Sequence, residues 1–225
     1  DWDERVASLK KCVIQPLENA GFEVDVFIST WDVRGHRKHD WQGGVDFDLV
    51  RKELNPVELE IESFDRGAFF QHYRTNQYVK YPGLCGPETA SDAVCMWYKI
   101  WKANELRRKS GRDHEVVFRL RPDLTFTSEL DVSEVERAIH TPGLVFSPPD
   151  DGMYSAVRKG YNDHLAFGSG KVMNFYCRVY RDIQEFLTNP TCVHCGEGFL
   201  ACNMMGSKET RVGRTNLEYY IKKRK

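Results

Sequence analysis

Short β-branched runs alternating with helical stripes constrain this chain more than any other feature of its sequence. Residues 4–19 place Val6, Leu9, Val13, Ile14 and Leu17 at helical spacing, and Gly21 follows as a stop. Val24–Thr30 then reads as a buried strand ending in polar residues. Leu49–Leu54 reads as a short helix before Asn55-Pro56, and Val57–Glu62 alternates apolar and acidic residues as a half-buried strand does. Ser91–Leu106 carries a broad apolar helical face. Arg107, Arg108 and Lys109 suit its carboxyl-terminal dipole, and Ser110-Gly111 ends it. Glu115–Leu120 is the next buried strand. This order predicts an α/β fold with a mixed, mainly parallel central sheet flanked by helices.

Further along, a helix is predicted over Val132–Ile139, a strand over Gly143–Phe146, and a turn, short strand and turn over Asn162–Ser169. Lys171–Leu187 and Glu197–Met205 read as helical. The 225 residues fit a single domain, 1–225, with 190–225 as a C-terminal subdomain or tail. Because the chain opens on a helix followed by a strand, it reads as the second half of a βαβ unit whose first strand would precede Asp1. The polar stretch 32–48 and the Tyr- and Pro-containing stretch 63–90 read as long loops of the kind that serve as lids.

A net charge of −1 argues against a nucleic-acid partner, since phosphate-backbone binding needs a basic excess. The basic tail Lys222-Lys223-Arg224-Lys225 reads as a solvated end. No apolar run approaches the roughly 20 residues of a membrane span. The seven cysteines, at 12, 85, 95, 177, 192, 195 and 202, are odd in number and scattered. They suggest no disulfide framework and point to a reducing, cytoplasmic setting.

The chemistry concentrates at Arg119-Leu120-Arg121-Pro122-Asp123, where the buried strand emerges. In open α/β sheets ligands bind beyond the carboxyl ends of strands. Alternation along an extended chain would turn Arg119, Arg121 and Asp123 the same way. Two guanidiniums can clamp phosphate oxygens, and a carboxylate can hold a hard cation. An internal salt-bridged cluster at a strand edge explains the same spacing. Asp163, in Tyr161-Asn162-Asp163, can bind sugar hydroxyls or act as a general base, while Asx-turn chemistry explains the Asn-Asp pair equally well. Thr30-Trp31-Asp32, at another strand end, could stack on and hydrogen-bond a nucleoside, or be a turn with a packed Trp. Glu197, between Gly196 and Gly198, is a base candidate or the acidic first turn of a helix. Asp46-Phe47-Asp48 is a secondary metal candidate. Cys192-Val193-His194-Cys195 has no second ligand pair downstream for zinc.

Asp25–Asp32, Met96–Leu106, Phe118–Leu124 and Asn162–Ser169, in that order, resemble GT-A-like glycosyltransferases of bacterial surface-polysaccharide loci and large algal DNA viruses such as the chlorella viruses. The resemblance spans about residues 5–205, and the Arg-x-Arg-Pro-Asp block is its most specific part. It implies transfer of a hexosyl or deoxyhexosyl group from a nucleotide-sugar donor, a UDP-sugar first, to a glycan or glycoprotein acceptor. It also implies a single GT-A-like, Rossmann-type domain, Mn²⁺ or Mg²⁺ at Asp123, diphosphate on Arg119 and Arg121, nucleoside near Thr30, Trp31 and Asp32, and Asp163 or Glu197 as base. The localisation implied is cytoplasmic, in the host cytoplasm for a viral protein. The sequence departs from the pattern by carrying one aspartate in the metal motif and lacking the first strand.

Overall fold

The structure, a computed structural model, describes residues 2–32, 46–71, 87–149 and 161–221. Residues 33–45, 72–86, 150–160 and 222–225 lie outside the described residues, and with them most of the loops expected over 32–48 and 63–90 and the basic tail.

In chain order the elements are α1 (Trp2–Leu9), a π-helical turn (Lys10–Ile14), α2 (Gln15–Asn19), β1 (Phe27–Trp31), α3 (Phe47–Leu54), β2 (Glu58–Glu62), α4 (Arg66–Phe70) and α5 (Pro87–Lys109). They continue with β3 (Val116–Leu120), β4 (Leu124–Phe126), α6 (Val132–His140), β5 (Leu144–Ser147), β6 (Leu165–Ser169) and α7 (Gly170–Cys177). A 3₁₀ turn (Arg178–Asp182), α8 (Ile183–Thr188), α9 (Gly196–Met205), β7 (Arg211–Arg214) and β8 (Tyr219–Ile221) complete the chain. The α/β class is as the sequence implies. The single domain expected over 1–225 is laid out as two compact units, each assembled from separate stretches.

The first unit comprises Asp1–Asp25, Asp113–Phe175 and Ser207–Lys225. Its sheet has the order β3-β6-β5-β7, with β6 antiparallel to both β3 and β5, and β5 parallel to β7. A second ladder pairs β4 with β8 antiparallel. The sheet is mixed, as expected, but its parallel component lies at the β5–β7 edge while an antiparallel block forms its centre. The reason is that β3 and β6, distant in sequence, meet head to tail. Phe118 and Phe167, register partners, stack at 4.7 Å between ring centroids, and Phe146 stacks on Phe167 at 5.0 Å. Val116, Leu120 and Leu165 join them in a core shared with Val13, Leu17, Leu124, Val135 and Ala138. Period-two alternation therefore puts Arg119 and its partner Ala166 on the other sheet face.

Helix α6 shows how local chemistry builds this unit. Asp131 caps it by accepting from the Ser133 amide at 2.9 Å, and Val135 and Ala138 turn one face inward. Buried Glu134 is satisfied by the Thr215 hydroxyl at 2.5 Å and the Asn216 amide at 3.1 Å. Gly143 enters β5 at φ +74°, and a Cβ there would meet the Glu209 carbonyl oxygen at 2.1 Å, so only glycine fits.

The second unit comprises Val26–Arg112 and Tyr176–Gly206. Parallel strands β1 and β2 align Ser29 with Glu60 and Trp31 with Glu62, and α5 packs on β1. Trp97 on α5 is fully buried and donates its indole N–H to the Gly196 carbonyl at 3.2 Å. Gly111 ends α5 with a positive φ of +70°, the stop expected from Ser110-Gly111.

Candidate functional site

Four residues singled out from the sequence gather in the first unit, because β3 ends beside the start of β6. The Arg121 amide donates to the His164 carbonyl at 3.0 Å, extending the β3–β6 ladder by one residue. The antiparallel register thus carries Asn162, Asp163 and His164 to the carboxyl end of β3.

Arg119 is 8% exposed, and its Nη1 atom has no hydrogen-bond partner among the described residues. Nor does its guanidinium form an ion pair among them. Desolvating a charge without a partner is costly.

Arg121 and Asp123 behave differently. Arg121 Nε donates to Asp123 Oδ1 at 2.9 Å and Nη2 donates to Oδ2 at 2.7 Å, a bidentate internal pair. The expected alternation does not run through to Asp123, because β3 stops at Leu120 and the chain turns before β4 begins at Leu124. Burial alone would raise the Asp123 carboxyl, but Arg121's hydrogen bonds and charge outweigh it and hold the carboxyl below its ordinary value. Arg5 on α1 adds a smaller push in the same direction. Asp123 is therefore ionised, with each of its oxygens accepting from Arg121. A divalent cation fits this carboxylate poorly as it stands. Among the described residues no group of three His, Cys, Asp or Glu side chains is placed to hold a metal.

Asp163 is 4% exposed, and its closest ionic neighbour among the described residues is His164 Nε2, at 3.9 Å. The Asn162 carbonyl oxygen accepts from the His164 amide at 2.8 Å, the Asx-type turn the sequence allows. That bond orients the Asn162 amide, whose Nδ2 donates to the Tyr219 hydroxyl at 3.0 Å. With its oxygen accepting there, Tyr219 can donate its proton to His164 Nδ1, 3.1 Å away. This tautomer leaves the proton on Nε2, facing Asp163. Burial, then Arg121 and Arg119, lower the affinity of His164 for a second proton, outweighing Asp163 and Asp123. The imidazole is neutral around pH 7.

His164 and Tyr219 are the members of this site that sequence reasoning missed. His164 stands next to Asp163 in the chain and was within reach of the pattern. Tyr219 comes from β8, 55 residues further on, and only the fold places it here.

The remaining candidates lie in the second unit. Trp31 stacks on Tyr98 at 5.5 Å with rings 17° apart, and also meets Phe64 and Phe69. The Lys99 ammonium sits 3.9 Å from its ring centroid. The Thr30 hydroxyl donates to the Trp31 carbonyl, and Asp32 accepts from the Phe64 amide at 3.1 Å. The packed-Trp reading of this strand end describes its geometry. Glu197 falls in the first turn of α9, where its charge complements the helix dipole. Asp46 and Asp48, the secondary metal candidates, cap α3 through the Leu49 amide and pair with Arg51, respectively.

One cysteine expectation is corrected. Cys192 and Cys202 form a disulfide with Cα atoms 6.0 Å apart, a separation such a bridge spans. The turn into α9 brings position 202 back over position 192, which linear spacing does not reveal. Cys192 is thereby withdrawn from the Cys-x-x-Cys metal motif. No helix among the described residues is long and apolar enough to cross a membrane.

Compared with known proteins, the chain matches no family model and no curated protein.

Proposed function

We propose that the protein is a glycosyltransferase that moves a sugar from a nucleotide-diphosphate donor, with UDP-sugars first, to a glycan or glycoprotein hydroxyl. One observation carries the reading: the buried guanidinium of Arg119, without an acceptor among the described residues, at the carboxyl end of a strand. A diphosphate would supply the missing acceptor oxygens. Asp163, buried beside the Nε2–H of neutral His164, is the base for the acceptor hydroxyl. Glu197, the other base candidate of the sequence, belongs to the second unit and is given no part in this site. Thr30, Trp31 and Asp32, the nucleoside candidates of the sequence, belong to the second unit, where their described contacts are internal, and the reading gives them no part in this site. The reading places the enzyme in the cytoplasm, in the host cytoplasm if it is viral. The Cys192–Cys202 disulfide is unusual for such a compartment, and a thiol titration of freshly isolated protein checks it.

Mn²⁺ or Mg²⁺ would supply charge stabilisation to the leaving diphosphate, but Asp123 does not fit that role while Arg121 holds it. The same pair favours a second reading, a nucleotide- or glycan-binding module without turnover. Calorimetric titration with uridine and guanosine diphosphates, with and without Mn²⁺, tests binding. A product-release assay then separates the two readings. Asp163→Asn is expected to lower transfer about 10²- to 10⁴-fold while changing nucleotide affinity little. A folded protein that binds no nucleotide under any of these conditions sinks the proposal.

A further inference from the structure

We infer that the first unit holds a diphosphate without a divalent cation, and that Arg5, together with Arg119, supplies the charge a metal would otherwise bring. The inference rests on the reading of this site proposed above, and assigns its charge stabilisation to arginines.

Helix α1 brings Arg5 to the site. It packs on β4, where the Ser8 hydroxyl accepts from the Phe126 amide at 3.1 Å. That hydroxyl also donates to the Arg5 carbonyl at 2.9 Å, so Arg5 lies one turn back along α1, and its charge acts on Asp123. Its Nε is buried and has no hydrogen-bond partner among the described residues, as with Nη1 of Arg119. Two guanidiniums thus carry buried N–H groups with no described acceptor. Such groups are rare in folded proteins, and each calls for an explanation.

Charge points to the ligand. Arg5 and Arg121 act on Asp123, and Arg119, Arg121, Asp123 and Asp163 all act on His164. Three guanidiniums face two carboxylates, an excess of one positive charge. The Arg121–Asp123 pair is internally neutral, so the excess falls on Arg5 and Arg119 against Asp163. An incoming dication would have to displace Arg121 from both oxygens of Asp123 and then lie among three like charges. An incoming anion meets the opposite field and two guanidiniums with N–H groups to offer. The excess positive charge and the uncommitted N–H groups both select an oxyanion over a cation.

Inorganic pyrophosphate is the probe, titrated calorimetrically into the full chain in EDTA and again with excess Mg²⁺. The affinity in EDTA is expected to equal or exceed that with Mg²⁺, since the metal adds no contact here and competes for the pyrophosphate oxygens in solution. Arg119→Gln should weaken binding in EDTA at least about tenfold, and Arg5→Gln about three- to tenfold, the loss of charge-assisted hydrogen bonds. Thermal melts of both variants establish that they are folded. Binding that requires the metal, an absence of pyrophosphate binding in EDTA, or affinities unchanged in both variants overturns the inference. If uridine diphosphate binds only with Mg²⁺, the inference fails while the transferase reading survives. If pyrophosphate binds in EDTA but no nucleotide binds at all, the inference stands and the transferase reading fails.

Discussion

Lys99 in the second unit and Arg119 in the first are both buried cations, and the fold provides for them in opposite ways. Lys99 is 9% exposed, hydrogen-bonds Glu62 and lies over the Trp31 ring. Around it, Tyr98 donates to Glu62 at 2.9 Å, Ser29 donates to Glu60 at 2.9 Å, and Lys102 pairs with Glu60 at 2.8 Å. The network arises from register. Ser29, Trp31, Glu60 and Glu62 share one face of the β1–β2 pair, and α5 lays Tyr98, Lys99 and Lys102 against it. Arg119 has no comparable provision among the described residues. A buried charge with matched partners stabilises its own unit; one without them costs stability until something else fills the place. The contrast separates a structural cluster from a candidate binding site more sharply than residue type does, because both clusters combine cations, carboxylates and aromatic rings.

The largest effect is expected from Lys99→Met. It leaves Glu62 with only the Tyr98 hydroxyl and a Lys102 ammonium 3.9 Å away, and should destabilise the second unit by about 2 kcal/mol, read by denaturant unfolding. A loss below about 1 kcal/mol would mean the network is incidental, and the comparison with Arg119 would lose its reference point.

A smaller effect, about 1 kcal/mol, is expected from pH. Burial would raise Glu62, but the hydrogen bonds from Lys99 and Tyr98 outweigh it, so its carboxyl titrates below the ordinary value. A depressed folded value contributes stability that is present above the unfolded value and disappears as pH falls through the folded one. Thermal melts between about pH 6 and about pH 3 should show this decline, and Glu62→Gln should flatten it. An identical acid profile in the variant would remove Glu62 from the account.

The smallest and most telling effect is that of Arg119→Leu. Removing an unpaired buried charge should leave stability unchanged or raise it by up to about 1 kcal/mol in ligand-free buffer. A destabilisation of about 2 kcal/mol or more, as expected for Lys99→Met, would show that Arg119 is satisfied inside the protein and break the contrast.

Much of the fold was legible from short-range signals. The α5 stripe, the α6 helix, the stops at Gly21 and Gly111 and the strands β2, β3, β5 and β6 follow periodicity and backbone preference. The π-helical turn at Lys10–Ile14 within the first predicted helix left no such mark. In the candidate site, Arg119, Arg121, Asp123 and Asp163 were each visible as charged residues at strand ends. Alternation failed beyond Leu120 because the chain turns there, and a turn destroys the period-two relation on which the shared direction of Arg121 and Asp123 depended.

By itself the sequence determined the segments that form α3, α5, α6, β2, β3, β5 and β6, that charge collects where β3 ends, and that Asn162 can turn the chain into β6, but not α4, β4, β7 or β8. Those outcomes depend on neighbours within a few residues. Only the tertiary structure decided that β6 runs antiparallel beside β3, that Tyr219 reaches His164, that Cys202 returns to Cys192, and that Arg121 takes Asp123 while Arg119 is left without a described partner. Pairing between distant segments is set by which burial and hydrogen-bond arrangement satisfies the whole unit at once, and no local pattern encodes that choice.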